Sequence, residues 1–118
     1  MGELRPKPRI REGRCYELSY KYLLSDDFRD WQLVHGESQP AEPFDGPRIG
    51  HAWLEREDEV FDPVRDKTFV KADYYYRYNT TVFGQWTVKE AARQVLEARH
   101  YGPWGSGKSA LRNKDGTA

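Results

Sequence analysis

The stretch "RIGHAWLEREDEVFDPV", residues 48–64, constrains this chain more than any other. Ile49, His51, Trp53 and Glu55 alternate with Gly50, Ala52 and Leu54, which is the period of a strand with two distinct faces. "EREDE" then makes a polar turn into Val60 and Phe61, so the pattern predicts an antiparallel hairpin. His51 and Asp62 stand eleven residues apart on its two strands, where side chains on one face can meet.

The flanking segments supply the rest of a domain. "CYELSYKYLL", from Cys15, places Tyr16, Tyr20, Leu23 and Leu24 at helical spacing, with Glu17 and Lys21 as an i,i+4 pair. It predicts a short amphipathic helix with Cys15 in its first turn. "DWQLVHGE" alternates Trp31, Leu33 and His35 against Gln32 and Val34 as a strand, and "SQPAEPFDGP" is loop by its Pro, Gly and Asp content. "KTFVKADYYYRYNTTVF" is β-branched and aromatic enough for one or two further strands, with Tyr74, Tyr76 and Tyr78 on one side and Tyr75 and Arg77 on the other. Thr87 and Glu90 form a capping-box signature ahead of a stripe of Val88, Ala91, Ala92, Val95, Leu96 and Arg99, a helix ending at His100 and Tyr101. The order defines an α+β domain: an N-terminal helix carrying the cysteine, a central antiparallel β-sheet, and a C-terminal helix packed on the sheet.

At 118 residues the chain holds one modest core. Charged residues make up 32% and the hydrophobic set only 37%, so four Trp, eight Tyr and five Phe are expected to carry that core. Residues 1–12, with Pro6 and Pro8 among basic side chains, read as a flexible arm, residues 13–104 as the domain, and residues 105–118 as a flexible tail. Nineteen basic and nineteen acidic residues cancel, which gives no field for nucleic acid or an anionic membrane. The "DYYYRYN" run has aromatic faces for stacking bases, but such platforms normally accompany a positive groove, for which the net charge of zero gives no support. No stretch has the length of a membrane span, the basic start lacks an apolar h-region, and the single cysteine excludes an internal disulfide; these features together predict a cytoplasmic protein.

"GPWGSGKSA" satisfies the letters of a phosphate-binding loop through Gly102, Gly107, Lys108 and Ser109. Such a loop works only between a buried strand and a helix N-terminus. Here a helix precedes it and nine residues, "ALRNKDGTA", follow. The segment is therefore read as a helix stop at Gly102 and Pro103 with Trp104 packing back on the domain.

Chemistry concentrates on Cys15, His51 and Asp62. A thiol needs help to ionise at neutral pH, and a helix N-terminus and a nearby imidazolium both provide it. The base in turn needs a carboxylate or amide to hold its tautomer. Metal binding is the competing use of Cys15, His35, His51, Asp62 and His100, but no CxxC, HxxxH or HExxH spacing is present, and no cofactor is expected.

"GRCYELS", "VHGE", "GHAWLE" and "VFDPV", in that order, resemble the transglutaminase-like, papain-like cysteine protease core over about residues 13–64. The resemblance implies Cys15 as nucleophile, His51 as general base and Asp62 as orienting carboxylate, acting on a peptide or amide substrate. The Cys15 backbone N–H would be one oxyanion donor and Gln32 a candidate for another. The alternative is a catalytically inactive module of the same fold that binds a small ligand or protein partner through its cleft and tyrosine-rich segment. Nothing in the residues fixes the oligomeric state.

Overall fold

The computed structural model describes residues 14–39 and 47–104. The expected arm, the tail, most of the Pro-rich loop, and Gly107, Lys108 and Ser109 of the phosphate-loop pattern lie outside the described residues. The elements in chain order are α1 (Cys15–Leu23), a 3-10 turn (Asp26–Phe28), β1 (Gln32–Ser38), β2 (Ile49–Arg56), β3 (Glu59–Asp62), β4 (Lys67–Val70), α2 (Lys71–Arg77), β5 (Thr81–Trp86) and α3 (Val88–Ala98). The five strands form one antiparallel sheet in the order β4-β3-β2-β1-β5, so this is an α+β fold with the predicted hairpin, β2–β3, inside its sheet.

Alternation on the strands sorts two cores. Leu33, Ala52, Leu54, Phe61 and Trp86 project to the face covered by α1 and α3, where Cys15, Leu23, Trp31, Ala91 and Trp104 join them. Val34, Trp53 and Val60 project to the other face and meet Tyr74 of α2 and Tyr78, its C-cap residue. Aromatic rings dominate both cores, as the composition demands.

α1 is tied by Glu17, which accepts from Lys21 Nζ at 2.8 Å and from Arg14 Nε at 3.0 Å. Of the expected stripe, Leu23 is buried and Tyr16 and Tyr20 pack partly buried against the core, while Leu24 is exposed; Cys15 and Ser19, four residues apart, complete the inward face. Small side chains let the helix lie close to the sheet. Gly50 does the same from the strand side, since a Cβ there would sit 2.6 Å from Tyr16 Oη.

The expectation for "KTFVKADYYYRYNTTVF" needs correction. β4 and β5 are strands, but residues 71–77 between them are helical. Tyr74 and Tyr78, i and i+4, are buried together, and Tyr76, expected on their side, is 82% exposed. Aromatic β-propensity yields here to packing, because one helical turn puts two tyrosines onto the sheet beside Trp53 and Phe69. Asn79, in the left-handed region at φ 48°, follows the end of the helix.

α3 opens with the predicted capping box: Thr87 Oγ1 accepts from Glu90 N–H and Glu90 Oε1 accepts from Thr87 N–H. It ends at Ala98, two residues before the expected stop, with Arg99 in the left-handed region as C-cap. Val88, Ala91, Val95 and Ala98 face the core, whereas Leu96, expected on the stripe, is 77% exposed. Trp104 packs back as predicted, its ring against His35 and Trp86 and its Nε1–H donating to the His100 carbonyl at 2.9 Å. Among the described residues no helix is long and apolar enough to cross a membrane.

Candidate active site

The two-residue turn Glu57–Asp58 sets the register of the hairpin, pairing Arg56 with Glu59 and Leu54 with Phe61. By continuation of that register Asp62 lies opposite Trp53, one pleat from His51 on the same face. His51 Nε2 and Asp62 Oδ2 are 2.9 Å apart, with both side chains buried. The imidazole also stacks on Trp53 at a centroid distance of 5.8 Å, which limits its rotation.

Asp62 is more heavily bonded than a simple orienting carboxylate. Oδ1 accepts the backbone N–H groups of Val64 and Arg65 at 3.0 and 3.3 Å, the turn-starting role open to an aspartate before proline. Oδ2 accepts from His51, from Arg65 Nη1 at 2.6 Å and from Tyr74 Oη at 2.6 Å. One oxygen thus builds the turn while the other faces the histidine. Burial alone would raise this carboxyl; the hydrogen bonds and charges of His51 and Arg65, with Tyr74, instead hold it well below the ordinary carboxylate range.

Cys15 is buried in the core on the α1 face of the sheet. The paired part of β2–β3 covers only Leu54–Arg56 of β2, so His51 lies beyond it, and there the Cys15 side chain acts electrostatically on the imidazole. Burial disfavours the imidazolium, but hydrogen bonds with Asp62 and Cys15 and their charges outweigh it and push His51 up to about 9. His51 is therefore charged at neutral pH. Its Nε2 proton points at Asp62, so the 3.5 Å separation from Arg65 Nη1 is a contact between two cations and not a hydrogen bond. Cys15 itself is 2% exposed.

Gln32 does not belong to this site. It pairs with Glu55 at the far end of the β1–β2 ladder, whereas His51 pairs with Gly36, four residues or about 13 Å along the strand. Its Oε1 accepts from Gln85 Nε2 at 2.6 Å. That end of the sheet has its own buried carboxylate, Glu55, which accepts from Trp53 Nε1 at 2.8 Å and from Tyr75 Oη and pairs with Lys71 Nζ at 3.1 Å.

His35 and His100 are also apart from the Cys15 group. His35 is buried among the rings of Tyr16, Trp86 and Trp104 at 4.7 to 4.8 Å, and neither ring nitrogen has a hydrogen-bond partner among the described residues. Burial lowers its pKa to about 3. His100 Nδ1 accepts the Gly102 N–H at 3.1 Å. Among the described residues no group of three His, Cys, Asp or Glu side chains is arranged to hold a metal ion.

Sequence reasoning missed Arg65 and Tyr74. Arg65 had a signal, because a turn started by Asp62 returns the residue at i+3 to the carboxylate. Tyr74 had none, since a strand reading of its segment sends it elsewhere. No family model matches the chain, and no curated protein or solved structure is significantly similar to it.

Proposed function

We propose that this chain is a small cysteine-dependent amide hydrolase or acyl transferase of the transglutaminase-like type, with Cys15 as nucleophile, His51 as proton carrier and Asp62 as its orienting carboxylate. The reading is supported by the 2.9 Å contact of His51 Nε2 with Asp62 Oδ2, together with the electrostatic influence of Cys15 on the same imidazole. With Nε2 spent on Asp62, Nδ1 is the nitrogen left for the thiol, the tautomer a papain-like mechanism requires.

In this mechanism the thiol proton resides on His51 and the thiolate attacks the substrate carbonyl carbon, forming a C–S bond. The tetrahedral intermediate collapses as His51 gives its proton to the departing amine, leaving a thioester on Cys15. Water or a second amine then attacks the thioester, losing a proton to His51, and the C–S bond breaks to release acid or new amide. The Cys15 backbone N–H, unpaired within α1 as the first helical residue, is the first candidate for the oxyanion.

Cys15→Ala should abolish turnover of amide and ester substrates while far-UV circular dichroism stays unchanged; turnover that survives the substitution removes the assignment. One observation favours a second reading, the inactive binding module: Cys15 is 2% exposed, so a carbonyl reaches Sγ only after the covering atoms move. In that case the thiol reacts only on unfolding.

A further inference from the structure

Asp62 Oδ2 faces two cations at once. Arg65 Nη1 at 2.6 Å and His51 Nε2 at 2.9 Å share the oxygen and stand 3.5 Å from each other. The guanidinium is itself fixed, its Cζ 3.8 Å from the centre of the Tyr78 ring. A carboxylate that served His51 alone would hold the imidazolium tightly and make it a poor acid.

We propose that Arg65 is a positioning residue for His51: sharing Asp62 Oδ2, it locks the carboxylate in place and weakens the stabilisation which that carboxylate gives the imidazolium. Arg65 thereby sets the pH at which His51 releases its proton. Among the described residues the groups facing this imidazole are Cys15 from α1, Asp62 from β3 and Arg65 from the turn after it, with Tyr74 of α2 acting through Asp62. Arg65 is the one among these whose charge opposes an imidazolium at neutral pH. The importance of this for turnover rests on the reading proposed above, but the relation between the charges does not.

The test is a titration of the His51 ring by NMR in the full chain, without substrate, for the native protein, Arg65→Gln and Arg65→Lys. Glutamine keeps a donor toward Asp62 and removes the charge; lysine keeps the charge and removes the planar fork. The expected result is a His51 midpoint raised by about one pH unit in Arg65→Gln and within a few tenths of native in Arg65→Lys. A midpoint that is unchanged or lower in Arg65→Gln overturns the proposal, as does an equal rise in both variants. Should Arg65→Gln not fold, Arg65→Met, which preserves the stem over Tyr78, is read against the same expectations. An unreactive Cys15 would end the enzyme reading while leaving this result standing, so the two fail separately.

Discussion

His51 Nε2 donates to Asp62 Oδ2 over 2.9 Å between two buried side chains on neighbouring strands. The bond ties stability to pH in a definite direction. His51 is raised from 6.5 to about 9, so its contribution is complete below 6.5 and is lost as the pH rises through 9. Asp62 is lowered from 3.8, so its contribution is present above that value and lost only in strong acid. Urea unfolding of the native protein should therefore weaken between pH 7 and 10, by roughly 3 kcal/mol at most. His51→Phe should lack that part of the decline, and an equal decline in both proteins would contradict the assignment.

His35 has the opposite sign. Its folded-state value is about 3 against 6.5 for an ordinary histidine, so between those pH values the unfolded chain binds a proton that the folded one refuses, and stability falls as pH falls through that window. His35→Phe should abolish this acid slope. At pH 7 it should also stabilise by roughly 1 kcal/mol or more, because two buried nitrogens without partners among the described residues are removed. Thermal melts at pH 4 and pH 7 read both effects.

Tyr74 and Tyr76 are two residues apart on α2 and should behave unlike one another. Tyr74→Phe removes a 2.6 Å donor to the Asp62 carboxylate and should cost about 2 kcal/mol, the usual scale for a hydrogen bond to a charged group. Tyr76→Phe, at an exposed position, should stay within about 0.5 kcal/mol of native. Equal effects in denaturant titrations would restore the strand reading of this segment, in which the two share a face.

That contrast also marks how far the sequence could be read. The β2–β3 hairpin was legible because a strict alternation ending in a polar turn leaves little choice of register, and with it came the approach of His51 to Asp62. The capping box of α3 was legible for a similar reason, being a local pair of side chain to backbone bonds. α1 was legible as a helix and in part of its inward face, Tyr16, Tyr20 and Leu23, but not in Cys15 and Ser19, whose small size admits the sheet and leaves no hydrophobic signal. α2 was not legible: tyrosine favours strands on average, and only the sheet beneath it selects the i,i+4 pair. Gln32 failed as an oxyanion donor because strand order, unlike hairpin register, depends on contacts distant in the chain.

The central claim, that Cys15, His51 and Asp62 work as one unit, is tested most directly at the single thiol of the chain. The measurement is the rate of Cys15 alkylation by a small electrophile against pH, followed by intact mass, in the native protein and in His51→Ala, each under fully folding conditions and at rising sub-denaturing urea. Joint action of the three residues predicts reaction in the native protein at neutral pH, at a rate insensitive to low urea, and a loss of at least tenfold at that pH in His51→Ala. Alkylation that tracks global unfolding in urea, or that is the same with and without His51, would contradict it.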